Sequence, residues 1–210
     1  MDALNQTNNN VKKKAIINGV ILGIISLVLS IISLYFSKTA TSIITSSIIN
    51  IIVNYAIFIA LAVVFILQLR KAIGGYWNFS TALKNIFIML AVTATVGVIG
   101  ISVFNLVYPT LQVEAIENTQ NLTIEMLEAN NTPDEQIDKT IELLDQQKEA
   151  LGSLSIGQTL KGLVVSLLLY FVLALIFAAI FKKEKPMFNT ANSSGGAHTW
   201  ENPDNNGNNV

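Results

Sequence analysis

Four apolar runs constrain this chain more than any other feature. They cover about residues 15–36, 43–69, 86–108 and 160–181, and none has an Asp, Glu, Lys or Arg in its interior. A helix needs about 20 such residues to cross the hydrocarbon core of a bilayer. A charge at the bilayer centre costs about 2.5–3.5 kcal/mol on insertion scales, so uncharged interiors are what spanning helices require. Four runs this long, with no charged amphipathic face, argue against a set of buried core helices in a soluble protein. Composition agrees: 51% of the chain is apolar and 13% charged, where soluble domains carry about 25% charge. The expected fold is an all-α membrane protein, with four transmembrane helices in a bundle and a helical hairpin outside the membrane between helices 3 and 4.

The first run follows Lys12, Lys13 and Lys14, as the apolar core of a signal peptide would. It is longer than such cores, and Lys38 stands where a small residue should precede cleavage. It reads as an uncleaved first span.

Lysine and arginine concentrate on the cytoplasmic side of membrane proteins. The N-terminal segment, the second loop (Arg70, Lys71, Lys84) and the C-terminal segment (Lys182, Lys183, Lys185) together hold nine. The first loop, the third loop and the start of the last span hold four: Lys38, Lys139, Lys148 and Lys161. Both termini are therefore expected in the cytoplasm. Residues 1–14 form the N-terminal segment and 15–188 the membrane domain. Residues 189–210, rich in Asn, Gly and Ser, form a disordered tail that carries the single histidine, His198.

The third loop, about 109–159, holds ten acids and two lysines, a net charge of −8; the rest of the chain carries +7. About 50 residues is long for a structureless connection. Thr132-Pro133-Asp134-Glu135 reads as a helix start with a capping box. Ile137, Ile141, Leu144 and Leu151 then share one face. Leu111, Ala115, Leu122, Met126 and Ala129 form a similar stripe on an extension of the third span, with Asn130-Asn131 as the turn. The stripes close the hairpin or dock a partner, and the carboxylates offer cation binding as a third reading, although no EF-hand order is present. Gly152 and Gly157 are expected to break the chain before the last span.

Inside the membrane, Gly19, Gly23, Ser26 and Ser30 share a face of the first helix; Thr93, Gly97 and Gly100 mark the third; Gly162 and Ser166 begin a row on the fourth. Small residues let helix backbones approach closely, so these positions are read as packing surfaces. On the second helix Ser42, Ser46, Asn50 and Asn54 recur every four residues. Such amides, with Asn18 and Asn105, should point into the bundle, either as hydrogen-bonding glue or as a polar path for a solute. Tyr76, Trp77 and Phe79 are expected as aromatic anchors at the headgroup level, beyond a bend at Gly74-Gly75.

Three groups of residues carry a family resemblance. They are Arg70-Lys71-Ala72-Ile73-Gly74-Gly75-Tyr76-Trp77-Asn78-Phe79-Ser80-Thr81-Ala82-Leu83-Lys84, the acidic stretch Thr132-Pro133-Asp134-Glu135-Gln136-Ile137, and Phe181-Lys182-Lys183-Glu184-Lys185-Pro186-Met187-Phe188. In this order, and with these spans, the chain resembles the domain of unknown function 4199 family, small multi-pass inner-membrane proteins of Gram-negative bacteria. The resemblance covers about residues 12–188. It implies a four-helix membrane architecture and no activity, catalytic residue or cofactor. It places the acidic loop in the periplasm, where the Asn121-Leu122-Thr123 and Asn130-Asn131-Thr132 sequons are accidental.

The sequence has no cysteine, nucleotide loop or Ser/His/Asp set, so an enzyme is not expected, nor a cofactor, a metal or a nucleic-acid partner. The leading expectation is an accessory or scaffold protein. Its partners would be the lipid bilayer and a membrane or periplasmic protein, or a second copy, met through the acidic hairpin. A small-solute carrier or channel along the Ser46, Asn50 and Asn54 stripe is the alternative.

Overall fold

The structure is a computed structural model that describes residues 2–152 and 156–184. Six helices follow one another: α1 Asp2–Thr39, α2 Ile43–Ala72, α3 Phe79–Val107, α4 Pro109–Ala129, α5 Asp134–Gly152 and α6 Ile156–Phe181. Four stretches are long and apolar enough to cross a membrane: Asn9–Thr39, Ile43–Ala72, Phe79–Val107 and Thr159–Phe181. These runs are rich in Ile and Val, which are modest helix formers in water. In lipid no water competes for the backbone, and a helix is the one way a single segment can satisfy its own N–H and C=O groups. Lys12–Lys14 continue α1 without a break. A π-turn, Ile52–Ala56, interrupts α2.

The boundaries follow local chemistry. Gly74 and Gly75 adopt φ of +93° and +85°, a left-handed backbone that favours glycine, and end α2. Asn78 caps α3, its Oδ1 accepting a hydrogen bond from Thr81 N at 2.8 Å. At the far end α3 does not run on into the hairpin. Pro109 starts a new helix, α4, after Tyr108 leaves the helical region with φ −131° and ψ 63°. The residue before a proline is held out of the helical region, which explains the break. The hairpin turn is a Schellman motif: Thr132 N–H bonds to Leu127 O, Asn131 N–H to Glu128 O, and Asn131 has φ +53°.

α1 and α3 run parallel and in close contact, α6 packs on the other side of α3, and α2 lies against α1. The hydrophobic core occupies the half of the bundle nearest the α2–α3 turn. It contains Val11, Ala15, Leu22, Ala62, Ile66, Leu69, Ile86, Met89, Leu90, Phe177 and Ala178. Large apolar side chains cover the outer surface; Leu169, for example, is 68% exposed. A chain with an apolar core and an apolar coat is built for a lipid solvent.

Candidate functional site

In the half of the bundle nearest the hairpin, polar side chains replace the core. The α2 row meets the serines of α1. Asn54 Nδ2 donates to Ser33 Oγ at 2.8 Å, and Asn50 Nδ2 donates to Ser37 Oγ at 3.0 Å. Ser33 Oγ donates in turn to Asn50 Oδ1, and Ser30 Oγ to Asn54 Oδ1 at 3.4 Å. Both amides also bond back to their own helix, at Ser46 O and Asn50 O. Ser33 and Ser46 are buried. The four-residue period places the amides on one face of α2, where each donor and acceptor finds a partner across a single seam.

The small residues divide into two groups. A Cβ on Gly19 would lie 2.5 Å from the Met89 carbonyl oxygen, and one on Gly23 would lie 2.8 Å from Val96 Cβ. Gly100 is likewise filled by the Leu27 side chain. These three glycines let α1 and α3 touch, and Thr93 Oγ1 ties the contact by donating to Gly19 O and Met89 O at 3.0 Å each. A Cβ on Gly97 or on Gly162 would meet open space, which corrects the expectation that a neighbouring helix packs closely against them. A row of small residues fixes a face; whether a helix lies against it depends on the bundle.

Ser26, Ser30 and Ser166 are not helix-contact residues alone, because they line a cleft. Its volume is about 590 Å³, and α1, α2 and α6 form its walls through Ser26, Leu29, Ser30, Asn54, Phe58, Ser166 and Tyr170 among others. A smaller cavity of about 240 Å³, which Gly97 lines, adjoins it between α1, α3 and α6. Across the cleft the Phe58 and Tyr170 rings meet at 5.7 Å.

The hairpin is fastened to the bundle and to itself. Asn118 Nδ2 donates to Ser37 O at 2.8 Å and to Ala40 O at 2.9 Å, capping the turn between α1 and α2. Lys38 pairs with Glu114 at 2.6 Å. α4 and α5 pack together, joined by the Lys148–Glu117 pair and by a bond from Gln120 Nε2 to Asp145 Oδ1 at 3.2 Å. Ala115 and Ile137 are buried; Leu111, Leu122, Met126, Ile141 and Leu144 are half-buried, and Ala129 is exposed. The Leu151 side chain lies outside the described residues. Gly157 lies within α6 and does not break the chain; residues 153–155, which follow Gly152, lie outside the described residues. Among the described residues no cluster of three metal-ligating side chains occurs.

At the opposite end the aromatic trio behaves differently from expectation. Trp77 is buried, 4% exposed. Its backbone exchanges two hydrogen bonds with Lys183, and its indole Nε1 donates to Phe181 O at 2.8 Å. It is an internal clamp from the α2–α3 turn to the end of α6, and not a headgroup anchor. The indole is large enough to fill the gap and supplies one donor for a terminal helix carbonyl. Tyr76 and Phe79 stay exposed, Tyr76 with the Lys183 ammonium 5.3 Å from its ring centre. Residues 185–210, with His198 and the Lys185–Phe188 part of the third motif, lie outside the described residues.

Asn18 is buried, as a polar residue in a span should be, and Asn105 is half-buried. Asn18 Nδ2 and Asn105 Oδ1 lack hydrogen-bond partners among the described residues. Asn78 and Asn118 escaped the sequence reading. Asn78 had a usable signal, an Asn directly before a helix. The acceptors of Asn118 lie 81 and 78 residues away, and no local pattern marks that bond; Thr93 was legible as a packing residue, but its bond to Gly19 O, 74 residues away, was not.

With this geometry in place, comparison with known proteins gives a family. A family described as "Protein of unknown function (DUF4199)" matches residues 17–183. No curated protein and no solved structure matches the chain.

Proposed function

We propose, for a chain that belongs to the DUF4199 family of unknown function, a non-enzymatic accessory or scaffold role in the bacterial inner membrane. Both termini face the cytoplasm, and the acidic hairpin meets proteins on the opposite side. The observation that carries this reading is the fixed mounting of the hairpin, with Asn118 bonded to both Ser37 O and Ala40 O. A surface held in one orientation loses less entropy when a partner docks.

The chemistry of that surface selects the partner. Among the described residues, ion pairs engage Glu114, Glu117 and Glu135. The other seven hairpin acids, from Glu125 to Glu149, leave the hairpin strongly negative, and Leu143 stands 60% exposed among them. Such a surface suits a basic partner with an apolar contact at its centre, and the field speeds and orients the encounter. The carrier alternative draws on the same polar seam, but the donors of Asn50 and Asn54 are engaged in bonds within and between helices, which favours glue.

The test is photo-crosslinking in living cells from a probe at Leu143. The reading predicts one dominant heterologous adduct, which weakens when Asp134, Asp138 and Glu142 are changed together to Asn, Asn and Gln. Self-adducts alone, or a heterologous adduct indifferent to those changes, would contradict it.

A further inference from the structure

The cleft between α1, α2 and α6 has features that helix packing does not need. It lies at the edge of the core, with the core residue Phe58 in its wall, and its volume of about 590 Å³ falls in the range of small-molecule sites. Its rim opens to the lipid-facing surface: Tyr55, Ile59 and Leu169 line it and are 65%, 44% and 68% exposed. An occupant therefore enters sideways from the bilayer.

The walls define what that occupant is. Leu29, Phe58, Ile59, Leu169 and Leu173 offer hydrocarbon. The polar groups are all uncharged: Ser26, Ser30, Asn54, Tyr55, Ser166 and Tyr170. Among the described residues the Ser166 and Tyr170 hydroxyls have no hydrogen-bond partner. The Ser30–Asn54 bond is long, at 3.4 Å, so an oxygen brought into the cleft can compete for it. Asn54 sits in the middle of the π-turn, a rare distortion that recurs at functional sites because it redirects side chains. An ionised headgroup has no counter-charge here and would be held out by its desolvation cost.

We infer that this cleft binds an uncharged lipid, with an acyl chain along the Phe58 and Leu173 wall and hydroxyl or ester oxygens against Ser166, Tyr170 and the Ser30–Asn54 pair. The inference stands apart from the hairpin reading and survives its failure.

The experiment uses the full chain in vesicles of phosphatidylethanolamine and phosphatidylglycerol. The probes are a photoreactive, clickable diacylglycerol and a phosphatidic acid with the same acyl chains, with adducts mapped by mass spectrometry. The expected result is diacylglycerol adducts concentrated on peptides carrying Leu29, Phe58 or Leu173, and phosphatidic acid adducts spread over lipid-facing residues such as Leu168. Ser166→Phe fills the cleft and removes the concentrated adducts while those at Leu168 persist. Tyr170→Phe keeps the packing and loses one hydroxyl. It should weaken competition by unlabelled diacylglycerol about three- to tenfold, the worth of one neutral hydrogen bond, and it carries the test if Ser166→Phe does not fold. Even labelling along all four spans, or equal concentration of both probes in the cleft, would overturn the inference. So would a cleft closed to both probes with crosslinks between two copies from Leu169.

Discussion

At the level of single residues, Gly19 and Gly162 have the same identity and opposite surroundings. Gly19→Val would drive a side chain into the Met89 carbonyl and Val92, and such overpacking costs about 1–3 kcal/mol. Gly162→Ala meets open space and removes a helix-weakening residue, worth up to about 1 kcal/mol. Thermal unfolding in detergent should show a clear loss for the first variant and no loss for the second. A Gly-x-x-x-Gly pattern was enough to read the Gly19–Gly23 contact. Nothing local separates it from Gly97 or Gly162, since the difference lies in which helix stands opposite. Trp77 teaches the same point. Its belt-like setting beside Tyr76 and Phe79 is local, while its acceptor, the Phe181 carbonyl, is 104 residues away.

At the level of elements, the four spans and the hairpin were legible because each rests on patterns a few turns long. The break at Tyr108–Pro109 was also written in the sequence, by the proline. The apolar stripe from Leu111 to Ala129 masked it by suggesting that the third span continued. The seam was half legible: the α2 row showed its period, but its pairing with Ser30, Ser33 and Ser37 needed the bundle. Interhelical hydrogen bonds in membranes average about 0.6 kcal/mol. Replacing Asn50 and Asn54 together with Leu should therefore lower stability by about 1–2 kcal/mol in denaturant unfolding and leave the fold and any solute flux unchanged. Lost flux with an unchanged unfolding curve would favour the carrier. Asn118→Leu tests the mounting of the hairpin. It leaves the half-buried carbonyls of Ser37 and Ala40 without their donor, a cost of up to about 1–3 kcal/mol where water does not replace it. Hydrogen exchange should speed at the α1–α2 turn and the start of α4, and remain unchanged around Trp77.

At the level of the whole molecule, the structure is polarised along its axis. One half has a packed apolar core closed by Trp77; the other has a polar seam, a cleft and a hairpin net −8 in charge. Their sum with the rest of the chain is near neutral, so total charge conceals the asymmetry. The proposed function requires the acidic end to face away from the cytoplasm, as the lysine and arginine distribution predicts. The chain has no cysteine, so single cysteines at the exposed positions Leu143 in α5 and Ser80 at the start of α3 report on the two ends without interference. In intact cells a membrane-impermeant maleimide should label Leu143→Cys at once and Ser80→Cys only after the inner membrane is permeabilised. Labelling of Ser80→Cys but not Leu143→Cys in intact cells would invert the threading and contradict the proposed role of the hairpin.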